Sequence, residues 1–182
     1  RPPRSTLFPY TTLFRSLHNL EDGSLLWGSQ PEGAFLFLEN GITFEVDPIE
    51  GQKTGFFLDQ RDNRAIVGIL AANQSVLNIF SYTGGFSLYA ARGNARSVTS
   101  VDISQPALDA ADRNFAHNRE HPAIAACNHQ TIQGDAFSVL AQLADDQKKF
   151  DVVIIDPPSF ASNKKESLSG LRAYRRLTRM GL

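Results

Sequence analysis

Two short β-prone runs open the patterned part of the chain, Ala34-Phe35-Leu36-Phe37-Leu38-Glu39 and Ile42-Thr43-Phe44-Glu45-Val46, with Asn40-Gly41 between them. The second run alternates apolar and polar residues, and Asn-Gly readily takes the positive φ values of a two-residue turn. Together they predict a hairpin. The period then changes. Residues 61–72 predict a helix with Ala65, Ile66, Ile69 and Leu70 on one apolar face. Four short strands are predicted beyond it, at 75–80, 97–101, 130–133 and 151–155. Helices are predicted at 88–91 and 105–117, the second started by Ser104 as N-cap with Pro106 in its first turn. Strands alternating with helices predict an α/β fold around a parallel sheet, preceded by a β-hairpin.

The polar residues that interrupt this pattern fall at strand ends. Ser81-Tyr82-Thr83-Gly84-Gly85-Phe86-Ser87 follows the first strand as a glycine turn, where the backbone can approach a ligand closely. Asp102 ends the second strand, seventeen residues after Gly85. That is close to the ~20-residue offset at which an acid takes ribose hydroxyls in nucleotide-binding βαβ units. Asp102 and Ser104 therefore point to ribose binding, against the plainer reading of an acid that only caps the next helix. Gly134-Asp135-Ala136 follows the third strand. The fourth runs into Asp156-Pro157-Pro158-Ser159-Phe160. Two prolines stop a strand and leave the carbonyls of Asp156 and Pro157 free to accept, and Phe160 adds a flat apolar face. Such a shelf suits a planar base.

These four strand-end motifs together resemble the class I S-adenosylmethionine-dependent methyltransferases. The string Gly51-Gln52-Lys53-Thr54-Gly55-Phe56-Phe57-Leu58-Asp59-Gln60-Arg61, then Asn78-Ile79-Phe80-Ser81-Tyr82-Thr83-Gly84-Gly85-Phe86, then Asp156-Pro157-Pro158-Ser159-Phe160 is similar to the bacterial 23S ribosomal RNA cytosine-5 methyltransferase family, over residues 17–182. The resemblance implies a Rossmann-like sheet, S-adenosyl-L-methionine as cofactor, ribosomal RNA as partner and a cytoplasmic setting. It places Gln60, Arg61, Asn78, Phe80, Tyr82, Thr83, Gly84, Gly85, Asp102, Ser104, Asp135, Ala136 and Asp156 around the cofactor, and Asp156, Pro157 and Phe160 around the reacting base. Phe56, Phe57 and Leu58 are expected to pack beneath the cofactor, with Arg61 and Arg64 turned toward the methionine carboxylate or a phosphate.

Cytosine C5 is a poor nucleophile. Enzymes of the resembled family attack C6 with a cysteine thiolate so that C5 can take the methyl group. The family's cysteine follows the next strand, and its RNA-binding PUA-type domain precedes the hairpin. On that ground 51–182 is expected to be a partial catalytic domain, truncated at its C-terminal side and inactive by itself, with 17–50 as a hairpin linker. Two other readings stay open. Asp-Pro-Pro-Phe also resembles the shelf of exocyclic-amino methyltransferases, which need no cysteine, and a module that binds S-adenosylmethionine or RNA without turnover shares the same strand ends.

Composition adds limits. The 182 residues, 42% hydrophobic and 20% charged, suit a soluble globular domain. No run approaches the ~18 apolar residues of a membrane span. Cys127 is the single cysteine, which excludes an internal disulfide, and the spacing of His117, His121, Cys127 and His129 matches no closed zinc site, so no metal is expected. Residues 1–16 contain the near-repeat Ser-Thr-Leu-Phe and Thr-Thr-Leu-Phe-Arg-Ser and resemble translated sequencing-adapter DNA, so they are set aside from the fold. With a net charge of −1, any nucleic-acid contact must come from a local patch. Lys164, Lys165, Arg172, Arg175, Arg176 and Arg179, against the single acid Glu166, form one. It reads equally as a solvated helix face or as an RNA contact.

Overall fold

A computed structural model describes residues 33–47, 55–158 and 167–181. The adapter-like segment 1–16, the block 51–54, Ser159, Phe160, Lys164 and Lys165 lie outside the described residues. Strands β1 (Phe35–Glu39) and β2 (Ile42–Val46) form the predicted hairpin. Asn40 and Gly41 turn it with φ of 52° and 80°, the double positive φ of a type I′ turn. The described residues fall into two compact units. The smaller comprises residues 33–37, 45–47 and 55–57, where the rings of Phe37 and Phe56 meet edge to face at 5.0 Å.

The larger unit holds the hairpin tip, Leu38–Phe44, and everything described from Leu58 onward. After a 3-10 turn at Leu58–Gln60 come α1 (Arg61–Leu70), β3 (Ser75–Ile79), α2 (Gly85–Arg92), β4 (Ser97–Asp102), α3 (Gln105–His117), α4 (Pro122–Ala126), β5 (Asn128–Gln133), α5 (Ala136–Asp145), β6 (Val152–Ile155) and α6 (Ser167–Met180). Four strands pair in the order β5-β4-β3-β6, all parallel. The order reverses beside β3, and the carboxyl edge at such a point is where open α/β sheets hold ligands. Burial on both faces follows, because parallel strands are covered by their crossover helices. Leu77, Ile79 and Val101 pack with Ala136, Leu140 and Leu177 of α5 and α6. Val76, Val98, Leu88, Leu108 and Ala111 are buried as well. None of the described helices is long and apolar enough to cross a membrane.

One expected face is reversed. Ile66, Ile69 and Leu70 of α1 are exposed, Ile69 by 77%. The inward face instead carries Arg64 and leads to the fully buried Ala71. Close approach to α2 is the reason. A Cβ on Gly93 would collide with the carbonyl of Gly68, and one on Gly68 would lie 3.1 Å from the carbonyl of Tyr89. The glycine face therefore seats the helix, leaving no depth for branched side chains on that side. Leu58, expected beneath the cofactor, is likewise exposed.

Candidate functional site

The glycine turn is built from unusual backbone. Phe80, Tyr82 and Gly84 have φ of 63°, 49° and 78°, and the two non-glycine residues each carry a strain of roughly 1–3 kcal/mol that the surroundings must hold. The surroundings do so by hydrogen bonds. Tyr82 N donates to Asp102 Oδ2 at 2.8 Å, and Asn114 Nδ2 donates to the carbonyl of Thr83 at 2.9 Å. Ser81 N donates to the carbonyl of Val101, and Gly84 N to that of Ser81. Gly84 admits no side chain, since a Cβ there would stand 2.8 Å from Cβ of Ala111. The turn is thus pressed onto α3.

Asp102 is the hinge pin of this arrangement. Its Oδ2 takes the turn, its Oδ1 accepts from Ser104 N at 2.9 Å, and its carbonyl accepts from Gly134 N. One residue, through its carboxylate and its carbonyl, so ties the loops after β3, β4 and β5 together. A cleft of about 70 Å³ opens beside it, lined by Phe80, Val101, Asp102, Ile103, Gly134, Asp135 and Ala136. That is far less than the roughly 300–1,000 Å³ of pockets that enclose a drug-sized ligand. It suits one part of a ligand that otherwise lies along the sheet edge.

Beneath the turn runs a chain of buried polar contacts. Asn78 Nδ2 donates to Ser87 Oγ at 2.9 Å, the hydroxyls of Ser87 and Ser100 lie 2.7 Å apart, and Ser100 Oγ is 2.9 Å from His129 Nε2. His129 stacks on Phe115 with centroids 3.7 Å apart, and its Nδ1 lies 3.4 Å from Asp112 Oδ1. Burial lowers His129 to about 4, so the ring is neutral at ordinary pH. The Asp112 carboxyl does not reverse this, being itself raised by desolvation and then by Asp109. The chain links β3, α2, β4, β5 and α3 and fixes α2, the helix that the turn opens. Asn78 Oδ1 and Ser81 Oγ are buried with no hydrogen-bond partner among the described residues.

The residues singled out from the sequence divide accordingly. Phe80, Asp102, Asp135 and Ala136 line the cleft, and Asp135 also caps α5 through Ser138 N at 3.1 Å. Tyr82 and Ser104 join it through Asp102, Thr83 is held to α3 by Asn114, and Gly85 begins α2. Asn78 is buried and bonds to Ser87. Gln60, the N-cap of α1, accepts from Asn63 at 2.7 Å, and Arg61 pairs with Asp62 at 3.3 Å on the exposed first turn of that helix. Asp156 and Pro157 follow β6 at the same carboxyl edge, and Phe160 is outside the described residues.

Arg64 departs from expectation. It is 2% exposed, and its Nε and Nη2 donate to Glu39 Oε1 and Oε2 at 2.9 and 2.7 Å. Tyr89 Oη donates to Glu39 Oε1 at 3.0 Å and accepts from Asn40 Nδ2. Committed to that bidentate pair, Arg64 is the anchor of the hairpin tip rather than an anion ligand. Asn114 and Asn118 were missed by sequence reasoning; two amides four residues apart on the inner face of α3 were the available signal. Asn118 grips both the N–H and the carbonyl of Thr43.

Comparison with known proteins follows the same lines. Residues 17–181 match the family described as S-adenosylmethionine-dependent methyltransferase. The chain is 47% identical over 150 residues to a ribosomal RNA large subunit methyltransferase I of Pseudoalteromonas translucida, covering 82% of this chain and 37% of that protein. It is 47% identical over 163 residues to a ribosomal RNA large subunit methyltransferase of Deinococcus radiodurans, covering 90% and 39%. The solved structure of SMU.776 complexed with SAH superposes with a TM-score of 0.71 at 36% identity, over 94% of this chain and 47% of that one. The chain thus spans less than half the length of each of these proteins.

Proposed function

The chain belongs to the S-adenosylmethionine-dependent methyltransferase family, and we propose that it is the cofactor-binding part of an enzyme that methylates a base of ribosomal RNA, at cytosine C5 of the large-subunit RNA. The observation that carries this reading is the Asp102 junction, where one residue, by its carboxylate and its backbone carbonyl, joins three strand-end loops around a cleft on the carboxyl edge of the sheet. Relatives named for large-subunit ribosomal RNA methylation supply the substrate class.

S-adenosylmethionine, when bound, supplies a methyl group already activated by the sulfonium. The protein's task is then positioning, since two reactants held in line at near-attack distance gain most of the available acceleration. The residues present fit that cofactor. Gly84 lets the turn seat against α3, Asp102 offers lone pairs to ribose hydroxyls beyond those its two N–H donors use, and the apolar walls of Phe80, Val101 and Ala136 accept an adenine edge. Gly84, Gly85 and Thr83 would border the methionine part, and Asp135 and the Ala136 N–H would hold the ring. Asp156 and Pro157 receive the amino edge of the base, and Phe160 stacks on it.

Cytosine-5 transfer also needs a thiolate at C6. Cys127 does not serve, because burial pushes it up to about 11 and keeps it protonated at neutral pH. In a protein of the relatives' length another cysteine has that role. Two measurements test the proposal. Calorimetry on this chain should show S-adenosylhomocysteine bound in preference to NAD, and Asp102→Ala should cost about 1–3 kcal/mol of that affinity; tighter NAD binding refutes it. Nucleoside analysis of RNA treated with a protein of full relative length should show 5-methylcytidine, and an N-methylated nucleoside would replace the C5 assignment by amino methylation.

A further inference from the structure

Helix α6, Ser167–Met180, holds four arginines and no acid. Arg172, Arg175, Arg176 and Arg179 stand at i, i+3, i+4 and i+7, one stripe of the helix, while Leu177 on the opposite side is fully buried. Neighbours at these spacings repel one another. The favourable interaction of cations with a helix C-terminus explains Arg179 in the last turn but not the three before it. None of the four is paired with a carboxylate among the described residues. Together with Met180 they line an open groove of about 320 Å³.

The stripe is held to a neighbouring helix. The Arg176 guanidinium lies over the Phe137 ring, 4.8 Å from its centroid. Phe137 sits in α5 directly after Ala136, which lines the cofactor cleft. The stripe is therefore tied to the helix whose first residue, Ala136, lines that cleft. Leu171 and Tyr174, 66% and 41% exposed, lie on the flank of the helix beside the stripe. Charge next to an exposed aromatic ring is the composition that tracks a single-stranded backbone. An acidic protein surface would need the charge but not the ring.

We propose that the arginine face of α6 is a phosphate-binding track that leads a single RNA strand to the cofactor cleft. This rests on the assignment of RNA as substrate and adds where the strand lies. Arg176, held over Phe137, ties the track to α5, and Arg172, Arg175 and Arg179 each neutralise a phosphate along the strand.

The test is the affinity of the 182-residue chain for a fluorescein-labelled 15-nucleotide single-stranded RNA across a salt series. The triple variant Arg172→Gln/Arg175→Gln/Arg179→Gln leaves Arg176 and its ring contact in place, and its melting temperature should match the parent. Because each phosphate contact adds about 0.7 to the slope of log K against log salt, the variant should lose about 2 from that slope, and on the order of 100-fold in affinity at 0.1 M salt. Replacing the same three residues by Lys should restore the slope. An unchanged slope and affinity in the Gln variant, no RNA binding by the parent chain, or equal competition by polyglutamate at matched charge would each overturn the track. S-adenosylhomocysteine affinity, measured on the same samples, should be unaffected; its absence from the parent would count against the proposed function, whatever the RNA result.

Discussion

Arg64 and the arginines of α6 are the same residue used in opposite ways. Arg64 is buried, and its guanidinium meets the two oxygens of Glu39 at 2.9 and 2.7 Å. Arg172, Arg175 and Arg179 stand in water with no carboxylate paired to them among the described residues. A guanidinium taken out of water must be matched by hydrogen bonds or the fold cannot hold it. One left in water costs the fold almost nothing and remains available to an outside anion. Burial therefore sorts these arginines into a structural anchor and a binding surface, although nothing in the residue type distinguishes them.

The comparison is broken most severely at the buried pair. Glu39→Ala leaves the Arg64 charge unpartnered at 2% exposure and strips Tyr89 of its acceptor. It should destabilise the chain by about 3–5 kcal/mol in denaturant titration; a loss below about 1 kcal/mol would mean that Arg64 escapes to solvent at no cost. The next largest effect concerns a buried base held neutral. His129 has a folded pKa of about 4 against an unfolded value near 6.5. Between those values the unfolded chain binds more protons, so this group's contribution is fully present above about pH 6.5 and is lost as pH falls toward 4. Unfolding at pH 7 and pH 4 should differ by up to about 3 kcal/mol from this residue, and His129→Gln should flatten that part of the profile. The smallest effect sharpens the contrast. Arg175→Ala should change stability by no more than about 0.5 kcal/mol in the same titration, as for surface substitutions generally; a larger loss would make the α6 arginines structural after all.

Much of the frame was legible along the chain. The hairpin turn, the full span of α3 with its Ser104 cap, and the strand-end positions of Tyr82, Asp102, Asp135 and Asp156 all depend on residues within one or two elements. Local chemistry is what periodicity and spacing record. The face of α1 was misread because its apolar count favoured Ile66, Ile69 and Leu70, whereas glycine contact with α2 decided which side faced inward. Arg64 was misread for a related reason. Its partner lies 25 residues earlier, across a hairpin whose placement no local pattern encodes.

The sequence alone determined the hairpin, the four strands of the sheet, the helices α1 and α3, the glycine turn, the acid after the second strand and the likeness to a methyltransferase family, because each is a short-range constraint on backbone or motif. Only the tertiary structure decided that Asp102 spends its carboxylate holding Tyr82 and Ser104, that a buried chain runs from Asn78 through Ser87 and Ser100 to His129, and that Arg176 rests on Phe137 beside the cleft. Those contacts join elements brought together by packing. Whether a polar side chain ends as a bond in the core or as a charge in water is settled by desolvation, which exists only once the chain has folded.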